Sequence, residues 1–178
     1  KNELDPSFIN YGDKYYGVGF QILSQPIQFF LSGIILKFQN INNFGAHLLA
    51  KHLVVFITFF TSGIFVYLIV SKIVNNSSFC ITATVLYLLY PYLFGHAQMN
   101  PKDIPLLSFW LICTYSSLSI FDNYLSLNKF QIRKILLLSF LTVFLVSIRL
   151  VGILIFIQYL ISFLLLIDIK KTNFFEFI

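Results

Sequence analysis

The chain has 178 residues, of which 58% are hydrophobic, 19% aromatic and only 11% charged, with a mean hydropathy of +0.84. Soluble domains carry about 25% charged residues, so this composition excludes an ordinary soluble enzyme or binding module. The net charge of +5 resides on cations at the ends of oily segments, which fits membrane topology and contacts with membrane lipids and excludes nucleic acid as a partner.

Residues 1–16, KNELDPSFINYGDKYY, are polar and rich in turn formers, and predict a loop outside the hydrocarbon. The next stretch, GVGFQILSQPIQFFLSGIILKF, is apolar but carries Gln21, Gln25 and Gln28. Three glutamines are costly inside a spanning helix, so an amphipathic helix lying in the interface is predicted. Residues 52–70 read as a clean span, followed by Lys72 and a short loop. A second span is expected over 79–94, bent or ended near Pro91. A third runs over 104–121, with Asp103 as its N-cap and Pro105 in its first turn. The polar stretch DNYLSLNKFQIRK follows as a loop. Residues 135–168 are apolar over 34 positions apart from Arg149, which as one helix would measure about 51 Å, too long for a hydrocarbon core of about 30 Å. Two short helices meeting at SIRLVG are predicted instead. Cys80 and Cys113 sit in apolar runs without CxxC spacing and read as small buried hydrophobes.

The expected fold is therefore all-α: a polytopic transmembrane bundle of about five spanning helices plus one interfacial helix. Residues 1–50 form an outer-loop segment and 51–178 the bundle. A start without methionine and a close on FFEFI suggest a piece of a longer polytopic protein. Alternating the spans puts Lys72, Lys129, Arg133, Lys134, Lys170 and Lys171 on one side, which reads as cytoplasmic. An equal number of cations falls on the other side, so placement decides rather than count. There Lys51, Lys102 and Arg149 stand at span ends beside apolar residues, as if held by an anion.

Lys51, His52, His96, Lys102 and Arg149 thus gather at the outer ends of different spans, a cationic set suited to a lipid phosphate or diphosphate. Each residue alone has a plainer reading, as a snorkelling lysine or an interfacial polar tip. Asp103 could cap its helix and pair with Lys102 or Arg149, or contribute to a substrate or metal site. Asn100 and Gln98 could donate to phosphate or sugar oxygens. Tyr11, Tyr15, Tyr16, Tyr90 and Tyr92 fit an aromatic belt at the same boundary.

The stretch FGHAQMNPKDIPLLSFW resembles the (F/G)H-x-x-x-NPKDIPF signature of bacterial GT-C-type membrane glycosyltransferases, relatives of the family 39 protein O-mannosyltransferases and the lipid A aminoarabinose transferases. DKYYGVGFQIL, AKHLVVFITFFTSGIFVYLI and SIRLVGIL are similar to further blocks of those proteins, in the same order, so the likeness runs from about Asp13 to Gly152. Carried over by position, Lys51 stands where an arginine is usual, Gln21 where a glutamate is usual, and His96, Asn100, Lys102, Asp103 and Arg149 match directly.

The resemblance implies an inverting transfer from a polyprenyl-phosphate sugar to an acceptor of unknown identity, at the outer face of a bacterial inner membrane. The cations would stabilise the departing lipid phosphate. It also implies a general base in an Asp-Glu motif upstream of Lys1, leaving Asp13 and Asp103 as the weak candidates in the chain. The polar stretch 95–105 would be a lid over the phosphate. No metal ligand set is evident, so the sequence indicates no cofactor, although a divalent ion is compatible with the chemistry. The main rivals are a polytopic transporter and a non-catalytic lipid-binding protein. Transporters usually place ionisable pairs near the midplane of repeated halves, and no repeat shows here.

Overall fold

A computed structural model describes residues 17–127 and 131–172. Over these the chain is all-helical, without a strand. The expected loop over 1–16, with Asp13, Tyr11, Tyr15 and Tyr16, lies outside the described residues, as does Lys129. The side chains of Lys170 and Lys171 also lie outside them.

Among the described residues seven α-helices follow in order: α1 Gly19–Phe38, α2 Asn43–Ser71, α3 Ser77–Leu89, α4 Pro91–Met99, α5 Asp103–Leu127, α6 Ile132–Ile148 and α7 Ile155–Thr172. A 3₁₀ turn, Leu150–Leu154, joins the last two. Among the described residues four segments are long and apolar enough to cross a membrane: α1, α2, most of α5, and Leu150–Ile167. The pair α3 and α4, bent by 55°, makes a fifth if it counts as one span. The chain is a multi-pass membrane protein.

Several boundaries differ from the sequence expectation. Helix α2 starts well before residue 52, because the Asn42 side chain accepts the Gly45 amide at 2.7 Å and caps it. The expected division after residue 50 therefore falls inside an unbroken helix. Helix α4 continues past residue 94 to Met99, so all of GHAQM is helical; the chain leaves the helix at Asn100, which precedes Pro101 and is extended. Of the stretch 95–105 expected to form a lid, only residues 100–102 are non-helical, a turn between two helix ends. Helix α5 likewise runs on through DNYLSL, where no proline or glycine stops it and Asp122 is tied to Lys72 at 2.8 Å. The breaks at Pro91 and at Arg149 fall where the sequence put them, with Pro91 opening α4 and Arg149 in an extended conformation after α6.

Helix α1 turns Ser24, Gln28 and Ser32 toward the protein, while Gln21 and Gln25 are exposed. Phe20, Ser24, Gln28 and Ser32 form its buried stripe at four-residue spacing, while Ile22, Leu23, Ile27, Phe29 and Phe30 are exposed. Gln28 donates to Ser24 Oγ at 2.7 Å and accepts from Gln21 at 3.3 Å. The glutamine cost that argued for an interfacial helix is thereby offset for Gln21 and Gln28. Phe20 packs with Val54 and Val55, and Phe29 lies on the His47 ring at 4.9 Å, so α1 runs antiparallel to the first half of α2.

Small residues let the helices approach closely. Ala46, Ala50, Ser62 and Gly63 are buried on α2, and Ser108, Cys113 and Ser117 on α5. Tyr87 joins α3 to Ser62 of α2 at 2.7 Å, and Tyr159 joins α7 to Thr142 of α6 at 2.6 Å. In each case the Ser or Thr hydroxyl already donates to its own helix backbone, so the tyrosine is the donor.

Candidate functional site

One apolar cluster forms the floor of the site: Phe20, Val54, Val55, Phe59, Ala97, Ile104 and Ile148. Three of its members sit next in sequence to polar residues: Ala97 follows His96, Ile104 follows Asp103, and Ile148 precedes Arg149. Val54 and Val55 lie one helical turn after Lys51, on its face of α2. Shared packing of these neighbours brings the ends of α4, α5 and α6 together beside α2. The Gly17 amide, donating to the Ile148 carbonyl at 3.1 Å, adds the start of α1.

Asn100 organises the polar layer. Its Oδ1 accepts two backbone amides, from Lys102 at 3.1 Å and Asp103 at 3.0 Å. These bonds fix the amide orientation, so Nδ2 faces the other way and donates to Asp103 Oδ2 at 3.0 Å and to His96 Nδ1 at 3.2 Å. Tyr92 lies against the His96 ring, centroid to centroid 4.4 Å. Arg149 closes the chain with an ion pair to Asp103 Oδ1, across 46 residues of sequence.

This arrangement corrects the role expected of Asp103. Asn100, not Asp103, receives the amides that open α5. Both carboxylate oxygens of Asp103 are engaged, one by Arg149 and one by Asn100, so the side chain orients a guanidinium rather than standing ready as a general base. The pairing with Arg149, one of the two expected for it, is present. Asn100 could have been found from sequence: Asn before Pro, two and three residues ahead of the amides it receives, is an Asx-turn pattern.

Lys102 is half-buried at the turn itself, and Lys51 is half-buried on α2. His52 looks away from the Asn100 network into a groove of about 450 Å³ between α2 and α4, lined by Leu49, Leu53, Phe56, Gln98 and Met99. Its Nδ1 is buried without a hydrogen-bond partner among the described residues. Phe56, which lines the groove, is in edge-to-face contact with Phe94 at 5.9 Å. Of the predicted residues, His96, Asn100, Asp103 and Arg149 therefore form one connected network, with Lys102 at its turn. His52 belongs to the adjoining groove.

No protein-family model, curated protein or solved structure matches this chain.

Among the described residues no group of three His, Cys, Asp or Glu could hold a metal ion. What the arrangement can do chemically follows from its donors. A guanidinium and an ammonium at a helix junction, above an apolar floor and beside an apolar groove, can bind an anion that carries a hydrocarbon chain.

Proposed function

We propose that the protein is a membrane glycosyltransferase of the GT-C type. It would transfer a sugar from a polyprenyl-phosphate donor to an acceptor at the outer face of a bacterial inner membrane. The observation that carries this reading is the Arg149–Asp103–Asn100–His96 network at the junction of three helix ends, with Lys102 in its turn. The likeness of its residues to the NPKDIP signature adds support.

In this reading the acceptor oxygen attacks the anomeric carbon while the bond from that carbon to the phosphate oxygen breaks. The electron pair leaves on the lipid phosphate, and the acceptor proton passes to a carboxylate base. Arg149 and Lys102 stabilise the charge that grows on the phosphate, and stabilisation aimed at developing charge lowers the barrier. Asp103 is a positioning residue: it holds the guanidinium in place before substrate arrives. Asp13, the other candidate base, lies outside the described residues.

A second reading, a transporter or non-catalytic lipid binder, draws on the bent α3–α4 pair, since transporters often use broken helices. Photo-crosslinking of a polyprenyl-phosphate sugar to the protein in membranes separates them. Capture should be lost in Lys102→Ala and Arg149→Ala, and sugar transfer with it. Capture without transfer in the intact protein favours the binder, and undiminished capture in both variants overturns the phosphate site.

A further inference from the structure

A second cationic site lies at the opposite end of the bundle. Tyr115, Ser116, Ser119 and Ile120 of α5, with Lys134 and Leu137 of α6, line a groove of about 270 Å³. The two helices run antiparallel, with Phe109 and Phe144 in ring contact at 4.6 Å near their other ends, which sets Lys134 level with Ser119. Asp122, one turn further along α5, is paired with Lys72. The groove therefore sits about one turn inside the level of that ion pair.

Its donors are unbalanced. Lys134 is half-buried in the groove, and its ammonium forms no ion pair or hydrogen bond among the described residues. The Tyr115 and Ser119 hydroxyls likewise make no hydrogen bond among the described residues, whereas Ser116 donates to the Ile112 carbonyl at 2.8 Å. No carboxylate lines the space, and the first turn of α6 has no acidic residue. An ammonium and two hydroxyls without an acid form a set that accepts an anion. Leu137 and Phe140 are exposed and apolar along α6 just beyond. The groove has room for a small polar group, while an attached chain would run out over that apolar face.

The geometry points to a binding site for the head group of an anionic glycerophospholipid between α5 and α6. Lys134 contacts the phosphate, Ser119 and Tyr115 donate to its oxygens or to the glycerol, and the acyl chains lie along Leu137 and Phe140. A basic pocket between membrane helices is a recurrent way of holding such lipids. This site is independent of the Arg149 network and of the reaction proposed for it.

The test uses the protein in neutral detergent, titrated with phosphatidylglycerol or phosphatidylcholine and read by native mass spectrometry of retained lipid. Intact protein should retain phosphatidylglycerol preferentially, and Lys134→Gln should lower that preference roughly fivefold, the effect of one cation near the phosphate. Lys134→Arg should keep it, which separates loss of the site from loss of the fold. Arg133→Gln is the control, because Arg133 is exposed and outside the groove. An equal loss in Arg133→Gln, or an unchanged preference in Lys134→Gln, would overturn the site in favour of diffuse surface attraction. Retention of glycerol phosphate as strong as that of the lipid would overturn the acyl-chain placement.

Discussion

The ion pair between Arg149 and Asp103 makes a quantitative prediction. The side chains are 27% and 54% exposed respectively, so water screens the pair on the aspartate side. Exposed pairs contribute about 0.2–1 kcal/mol, and the more covered guanidinium places this one near the upper end. In Asp103→Asn a carbonyl oxygen remains to accept from Asn100, so the substitution removes charge and little else. In Arg149→Gln the opposite charge goes. Measured separately and together, the two should show a coupling of about 1 kcal/mol, against about 0.3–0.5 kcal/mol for residues that act independently.

Trp110, the single tryptophan of the chain, lies on α5 beside the second apolar cluster and reports unfolding by fluorescence in mild detergent. The coupling should fall at 1 M salt, where charges are screened over about 3 Å rather than the about 10 Å of 0.1 M salt. Additive effects of the two substitutions, or a coupling that salt leaves unchanged, would refute an ion pair that fixes Arg149.

Two further outcomes test the packing. A Cβ on Gly152 would come 2.9 Å from the Leu145 carbonyl oxygen and 3.1 Å from the Val146 Cα, both backbone atoms that cannot step aside. Gly152→Ala should therefore cost about 2 kcal/mol in the same unfolding assay, and an unchanged midpoint would mean the turn after Arg149 is not closely packed. Cysteines placed at Leu23, Ile27 and Phe30, the exposed apolar face of α1, should resist a membrane-impermeant maleimide. Ready labelling at all three would show that this face meets water. Ser24 and Ser32 would not report this, since the protein itself covers them.

The features legible in the sequence were those set by local chemistry. Long apolar runs marked the spans, Pro91 marked one helix break, and a lone arginine in a long apolar stretch marked another. Helix ends were less legible, because polarity was read as loop. GHAQM and DNYLSL are polar yet contain no residue that stops a helix until Pro101 in the first case. The packing of helix α1 was hidden for a related reason. Glutamine in an apolar stretch signals cost only when its amide lacks a partner, and Gln21, Ser24 and Gln28 supply one another. Their spacing carried the signal, since 20, 24, 28 and 32 share one helix face. For Asp103 the sequence left Lys102 and Arg149 as alternative partners, and the choice of Arg149, 46 residues away, is made by the packing of Ile104 with Ile148.

The helix breaks explain why the polar residues collect at one end. A chain that interrupts its helices beside hydrocarbon frees backbone groups that need partners. Asn100 serves the amides of Lys102 and Asp103, the Gly152 amide returns to the Arg149 carbonyl at 2.8 Å, and Gly17 serves Ile148. Those bonds would suffice for a scaffold, and none of them uses a charged side chain. Yet the same end carries Lys51, Lys102 and Arg149, with Asp103 as its one acid among the described residues. At the other end Lys72 is paired with Asp122, while Lys134 stands in a groove that no carboxylate lines. Backbone satisfaction alone does not call for charged side chains at this junction, and under the proposed function they are what a lipid phosphate would meet there.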